Sequence, residues 1–496
     1  MQNFSTIIKK INYKKLLGYL FISILFFGVL FNTQYAIDTY VDFTEDMATH
    51  FMALGRFMTA ICIKLVRHFN LKEIAVYRIS YLFSIIFLTI SLYEIDKIIK
   101  EEVENKVKYC NTLVATISIL IIINTYIIAL IMYLENSIMM LSILCEILAA
   151  KHFIRLLKRN KLKEIIWVLV YMLVADGCYA GTVGLFIALI LPFIIKYSKN
   201  IYKFLANNLI AIFSYGIPAL IDLVIAKLNS GERIVGEHNL TESIKKIWSS
   251  TDWMFKGMEI IPEYIFGGTI ILLIIISIIE IIINKNRTLK SSFSLIYIIL
   301  GVYIVTIAPF IIQTTDSINI VPRVCYPIAT IQGILILNIF MNIQSNRCKT
   351  NIIEYTILFI GLFLILSNLI NFSTIIVSRY KTNEADKQIS KKIVERINEY
   401  EETTQTKIEK ICVYYDKNRQ YNYLGIKSPY KINEKALHNE VILVATISYY
   451  SGNGRRYSWN MNQNEDIKRK FEGKNWDAFS EEQLIFDKDT LHICVY

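Results

Sequence analysis

The sequence predicts a polytopic α-helical membrane protein of about 11 transmembrane helices, followed by a small C-terminal α/β domain. Three observations predict it. The 496 residues are 54% hydrophobic and 19% charged, with a mean hydropathy of +0.42, too apolar for a soluble protein of this size. Nearly uncharged runs long enough to cross a hydrocarbon core recur along the first three quarters of the chain. Beyond about Lys381 the composition turns polar and mixed. Two domains follow: 1–376 in the membrane, with a first outer loop at 32–73, and a soluble 377–496.

The apolar segments fall near 16–31, 77–95, 112–134, 138–150, 164–176, 179–197, 205–226, 264–283, 293–312, 324–343 and 352–372. Lys9, Lys10, Lys14 and Lys15 precede the first, and Lys151, Arg155, Lys158, Arg159, Lys161 and Lys163 follow the fourth. Lys196, Lys199 and Lys203 follow the sixth, and Lys285, Arg287 and Lys290 the eighth. All lie on one side if the N-terminus is cytoplasmic, which is the positive-inside pattern. The opposite side then holds 32–73, 227–263, the "TTDSINIVPR" turn and, because the span count is odd, the C-terminal domain. The net charge of +11 thus reports orientation rather than nucleic-acid binding. Eight cysteines show no CxxC spacing and no histidine pairing, so neither a zinc site nor a disulfide framework is indicated. "KKINYKK" opens like a signal peptide, but no small-residue cleavage site follows Phe31, and the first helix is expected to be retained.

In the soluble tail, Ile389, Ile393, Ile397 and Tyr400 recur at helical spacing. "KIEKICVYYD" and "DTLHICVY" read as strands, and "EVILVATISYYSGNGRRYSW" as a third strand ending in a glycine turn. Cys412 and Cys494 are expected to be buried as small hydrophobes.

Wrapped on a helix, residues 42–67 place Asp42, Glu45, Asp46, Thr49, Arg56, Lys64 and Arg67 on one face. Phe43, Met47, Phe51, Leu54, Met58, Ile61 and Leu65 fall opposite, with Gly55 a candidate break. This predicts an amphipathic helix along the outer membrane surface. Acids in the first turns and bases in the last suit the helix dipole, so an interfacial helix accounts for part of the pattern. Crowded carboxylates, however, are more often found where a base or a cation is needed. Asp38, just before this helix at the mouth of the first span, is the carboxylate best placed for chemistry at the water–membrane boundary.

The acidic first outer loop with "AIDTY", followed by an amphipathic helix carrying "MALGRFMTAI", resembles the bacterial Gtr-type glucosyltransferases. These are polytopic enzymes of the GT-C superfamily that move a sugar from a polyprenyl phosphate onto a surface glycan. The resemblance covers 32–66 and, more loosely, the span-rich layout. It implies Asp38 as catalytic base, with the second carboxylate left open among Asp42, Glu45 and Asp46, since family members show two adjacent acids where this chain has Asp38-Thr39. Arg56, from the Gly-Arg element, is the implied phosphate clamp, because guanidinium binds phosphate oxygens bidentately. Lys64 and Arg323 are further donor-binding candidates. The resemblance also implies a bacterial cytoplasmic membrane location, a polyprenyl-phosphate sugar as donor and a surface polysaccharide as acceptor. A flippase and a donor-synthesising membrane transferase are the implied partners. Metal dependence stays open: Asp42, Glu45 and Asp46 offer the oxygen ligands Mg²⁺ or Mn²⁺ would take.

Arg323, in "INIVPRVCYPIAT", reads equally as a snorkelling interface residue, and Asp176, in "VADGCYAG", as a cavity acid or a helix-end residue. Glu280 is expected near the cytoplasmic end of the eighth span, in reach of water and without a role. The 227–263 segment, with Trp248, Trp253 and Phe255, is too long for a simple connector and reads as a cap over a site or an interfacial anchor. Two other functions compete with the transferase. A flippase for lipid-linked saccharides favours ionisable residues at mid-membrane and discontinuous helices, whereas the acids here concentrate in outer loops. A polysaccharide polymerase would share the lipid-phosphate chemistry.

Overall fold

The computed structural model describes residues 12–32, 35–36, 38–44, 47–103, 109–229, 231, 237–283, 288–311, 313–344, 351–415, 421–429, 432–452, 454–474, 476 and 478–495. The chain divides into two compact units. The first comprises Met1–Phe31, Ala48–Ile131 and Glu135–Phe372; the second comprises Asn32–Met47, Met132–Leu134 and Ser373–Tyr496.

In chain order the helices begin with α1 (Tyr13–Phe27), α2 (Thr39–Thr44), α3 (Met47–Ala53), α4 (Phe57–His68), α5 (Glu73–Glu102), α6 (Cys110–Ile122) and α7 (Ile128–Ile131). They continue with α8 (Asn136–Arg159), α9 (Lys163–Tyr179), α10 (Gly184–Tyr197), α11 (Ile201–Leu228), α12 (Leu240–Phe255) and α13 (Glu263–Ile283). The last are α14 (Thr288–Ile311), α15 (Tyr326–Ala329), α16 (Ile331–Gln344), α17 (Asn351–Thr404), α18 (Glu440–Ser451) and α19 (Glu465–Phe471). The strands are β1 (Lys410–Tyr415), β2 (Ser458–Trp459), β3 (Leu484–Asp487) and β4 (Thr490–Val495).

Among the described residues seven helices are long and apolar enough to cross a membrane: α1 with its extension to Phe31, α5, α8, α11, α13, α14 and α17. The chain is a multi-pass membrane protein. Each of the eleven apolar segments coincides with a helix, but α6, α10 and α16 are 13 to 14 residues long. A full crossing needs roughly 20. These short helices are apolar on all sides and almost wholly buried, so longer neighbours surround them. The expected single span at 112–134 is in fact two helices. Between α6 and α7, Asn124 Oδ1 accepts from Tyr126 N (3.0 Å), Asn124 Nδ2 donates to Ile121 O (3.1 Å), and Asn368 Nδ2 donates to Ile123 O (3.3 Å). Side-chain amides thus re-satisfy the backbone groups that the break releases.

The acids do not concentrate in the outer loops as expected. Asp96, Glu146, Asp176, Asp222 and Glu280 are all buried within helices. Some are fully provided for: Asp96 takes Lys15 and the Tyr19 hydroxyl (2.6 Å), and Glu280 accepts from Asn342 Nδ2 (3.3 Å) instead of meeting water.

The surface helix expected over 42–67 breaks at the candidate position, Gly55, between α3 and α4. Gly55 adopts φ +80°, a left-handed conformation that ends α3 and suits glycine alone. Beyond it, α4 packs on α9. Thr59 Oγ1 donates to Cys178 O (3.0 Å), and the Phe57 ring fills the space a Cβ at Gly177 would take. Within 227–263, Asn239 caps α12 by accepting from Glu242 N. Leu240, Ile244 and Trp248 are exposed at successive i, i+4 positions, Trp248 by 74%, which is the apolar stripe of an interfacial helix.

The second unit is an α/β domain around a four-stranded sheet of order β2-β1-β4-β3, parallel except for β3. Strand alternation sorts the sheet's two faces. Ile411, Val413, Leu491 and Ile493 pack on the Ile389, Ile393 and Ile397 stripe of α17 and on α18; Cys412, Tyr414 and Cys494 pack on Ile467 and Phe471 of α19. Both cysteines are buried, as expected. The third strand expected from Glu440 onward is instead helix α18. The Asn439 side chain accepts from Val441 N and Ile442 N and starts it, and the apolar run that read as a buried strand is buried as a helix. A short apolar run bounded by turn residues cannot be assigned by periodicity. Residues 35–44 belong to this unit: Asn383 bonds both backbone groups of Tyr35, while the Tyr35 and Tyr40 hydroxyls meet those of Tyr449 (3.1 Å) and Tyr450 (3.2 Å).

Candidate functional site

A cavity of about 390 Å³ lies in the first unit, where α9, α11 and α14 end. Those three C-termini lie at the end of the helices opposite the lysine- and arginine-rich loops. Two bases and two acids line it, Arg56, Arg323, Asp176 and Asp222, between walls that include Leu220, Leu223, Pro309 and Val324. A formally balanced set of charges is thus set into an apolar cavity.

Local structure places each group. Gly55 turns the chain out of α3 so closely against Asp222 that a Cβ there would stand 2.3 Å from its Oδ2. The next residue, Arg56, is held by π-faces: its guanidinium lies 4.5 Å from the Tyr179 ring centroid and 5.7 Å from that of Phe51, with Glu135 at 4.0 Å. Ring contacts of this kind use the face of the cation and not its N–H donors, which an anion could take. The end of α9 is secured from below: Ser142 Oγ donates to Ala175 O (2.8 Å), and its hydroxyl meets that of Thr182 (2.9 Å).

The two acids are the unusual part. Asp176 is 3% exposed and Asp222 9%, yet Asp176 Oδ2 and Asp222 Oδ1 have no hydrogen-bond partner among the described residues. A buried carboxylate oxygen without a donor is costly, and such atoms in native proteins mark a water, an ion, a substrate group or a reacting proton. Here both belong to side chains that line a cavity.

Of the residues singled out in the sequence, Arg56 and Arg323 come together in this cavity, and Asp176 joins them. Lys64 is exposed on α4 and is not among the lining residues. Asp38 belongs to the second unit, on the turn before α2, and does not line the cavity. Asp42 lies in α2, but its side chain is outside the description, and Glu45 and Asp46 lie outside the described residues altogether. Among the described residues no group of three His, Cys, Asp or Glu side chains is arranged to hold a metal ion. Asp222 was missed in the sequence although the signal was there: it is the sole charge between Lys203 and Lys227. An ionisable residue inside a span is a functional candidate by default. No protein-family model matches the chain, and no curated protein is similar to it in sequence.

Proposed function

We propose that the protein is a membrane glycosyltransferase that moves a sugar, glucose in the resembling enzymes, from a polyprenyl phosphate to a surface polysaccharide or cell-wall glycan on the outer side of the cytoplasmic membrane. The observation that carries this reading is the meeting of Arg56 and Arg323 in one cavity with Asp176 and Asp222, each of which keeps one oxygen without a donor among the described residues. A polyprenyl-phosphate sugar already has a good leaving group, so the enzyme's work is to take a proton from the acceptor and receive the departing phosphate. In a single inverting displacement the acceptor oxygen bonds to the anomeric carbon as the carbon–oxygen bond to phosphate breaks. The electron pair leaves on the lipid phosphate and the hydroxyl proton passes to a carboxylate.

Within the cavity Asp222 is the base, with Asp176 accepting from sugar hydroxyls and the two arginines binding phosphate oxygens. Asp38 stays the base that the resemblance implies, and the same assay ranks the two. The test is the surface-glycan composition of a deletion strain complemented with wild type, Asp222→Asn, Asp38→Asn or Arg56→Ala, each present in the membrane at equal level. Loss of one side-chain sugar in the deletion and in Asp222→Asn, with the polymer backbone intact, supports the reading. Full glycan in the deletion strain rejects it.

A second reading, a flippase for lipid-linked saccharides, is favoured by the interrupted α6–α7 pair and by the buried Glu146, which accepts from Phe186 N (3.1 Å) and whose Oε1 has no hydrogen-bond partner among the described residues. Lipid-linked units stranded in the inner leaflet of the deletion strain would establish it instead.

A further inference from the structure

Glu146, 0% exposed at mid-length of α8, is an acid that the cavity chemistry leaves unused. One of its oxygens is accounted for. Phe186 N, in the first turn of α10, donates to Oε2 (3.1 Å), so the carboxyl caps that helix. The other, Oε1, has no hydrogen-bond partner among the described residues. Ser142 lies one turn before Glu146 on the same face of α8, and Thr182 holds the same spacing ahead of Phe186. The Ser142 and Thr182 hydroxyls meet each other (2.9 Å) and neighbour the Glu146 carboxyl. Each carries a single proton, and each has a backbone carbonyl to give it to: Ser142 Oγ donates to Ala175 O (2.8 Å) and Thr182 Oγ1 to Tyr179 O (3.1 Å). What they turn toward the carboxyl is therefore lone pairs. A carboxylate oxygen against lone pairs is left unsatisfied, whereas a carboxylic acid in the same place donates to them. The titratable groups whose fields reach Glu146 are Cys145 beside it, Asp176 of α9, Tyr215 of α11 and Tyr326 of α15, all of them acids. None of these offsets a negative charge at this depth. The direct contact of the two hydroxyls leaves no room for a metal ion between them, while a proton needs none.

We propose that Glu146 is a buried proton-binding site, holding a proton on Oε1 in a hydrogen bond to the Ser142–Thr182 hydroxyl pair. Loss of that proton to water leaves a carboxylate that recruits the Thr182 hydroxyl away from Tyr179 O. The site therefore shares its hydrogen bonds with the end of α9, where Asp176 and Tyr179 line the cavity. The proposal does not rest on the transferase reading, because it concerns a group that reading does not use.

The test is infrared difference spectroscopy of the full-length protein in a maltoside detergent, which carries no carbonyl group, with Glu146→Gln subtracted from wild type. The C=O stretch of a protonated carboxyl stands apart from that of a carboxylate. At neutral pH the difference spectrum is expected to show that band, to shift it in heavy water, and to lose it as pH rises. Thr182→Val removes a hydroxyl acceptor and keeps the side-chain shape, so the band should be lost about one pH unit lower, the equivalent of one hydrogen bond. Ser142→Ala should move it in the same direction. These two variants, titrated against wild type, carry the test even if Glu146→Gln does not fold. Absence of a protonated-carboxyl band at neutral pH would overturn the proposal. So would unchanged midpoints in both hydroxyl variants, or a shift to higher pH in Thr182→Val, which would mean that the hydroxyl donates to a carboxylate. Loss of the band when sodium chloride replaces choline chloride at constant pH would assign the site to a metal cation and overturn it as well. The spectra are taken without a sugar donor, so the result stands or falls apart from sugar transfer.

Discussion

Both units bury aspartates, and they treat them differently. In the second unit Asp386 is enclosed at 1% exposure, and each oxygen is served: Tyr421 Oη donates to Oδ1 (2.6 Å) and Ala436 N to Oδ2 (3.0 Å). In the first unit Asp176 and Asp222 are nearly as buried, yet each keeps one oxygen without a donor beside a cavity. Burial alone therefore does not mark a functional carboxylate. A buried acid whose hydrogen bonds are complete holds the fold together, whereas one left incomplete beside a cavity is poised for something the chain itself does not supply.

The largest effect that tests this contrast is on turnover. On the proposed transferase reading, Asp222→Asn is expected to reduce sugar transfer roughly a hundredfold or more, the usual range for removing a general base, without lowering the amount of folded protein. Arg56→Ala should cost a comparable factor by removing a charge opposite the departing phosphate. Asp386→Asn should leave transfer near wild type. Equal losses in Asp222→Asn and Asp386→Asn, measured on purified protein with a polyprenyl-phosphate sugar, would dissolve the distinction between the two kinds of aspartate.

Next in size is Gly55→Ala. The backbone at Gly55 is left-handed, and the new methyl would press on the Asp222 carboxylate, so the substitution carries a strain on the order of 1–3 kcal/mol. Because that strain falls on the cavity, transfer should drop more steeply than the melting temperature. Asp222→Asn in the same background should then add little, since residues in contact are not additive. Fully additive losses in the double variant would mean that Gly55 acts elsewhere.

Asp386 supplies the pH test. Burial pushes its carboxyl up to about 6, against the opposing pull of the Tyr421 and Ala436 hydrogen bonds and the Arg379 charge. The folded state therefore binds a proton more tightly than the unfolded chain, and stability falls as pH rises from about 4 to about 6, by roughly 3 kcal/mol in total, then levels off. Asp386→Asn should abolish that slope. Hydrogen exchange of the β1 and β4 peptides, compared between wild type and variant at each pH, reads it locally. Parallel profiles for the two proteins across this window would remove Asp386 as the titrating group.

Much of this organisation is legible in the sequence, and the failures have physical causes. Hydropathy located a helix in each of the eleven apolar segments, because a chain in lipid must satisfy its backbone within helices, but not that 112–134 and 324–343 each hold two. It could not show that α6, α10 and α16 stop short, because their neighbours, not their own composition, decide how much is buried. Residues 440–451 misled because Val441, Ile442 and Val444 favour strands, while the Asn439 cap and the packing against Ile411 and Leu491 favour α18. The Gly-Arg pair stands out in the sequence, and the structure gives it its neighbours, Asp222 against the glycine and Tyr179 against the arginine. Asp222 shows in the sequence only as a single acid in a long apolar run, and its cavity neighbours come from distant segments that the fold brings together.

The smallest effect concerns α11, where the same contrast recurs along one helix. At one end Asn208 is paired with Tyr297; at the other Asp222 is not fully paired. Tyr297→Phe removes one neutral hydrogen bond and keeps the ring packing against Phe204, so it should cost only about 1 kcal/mol of stability. Because this pin lies at the end of α11 away from the cavity, turnover should stay close to wild type. A fall in turnover as large as that of Asp222→Asn would show that the pin also sets the geometry of the cavity, and the contrast along α11 would fail.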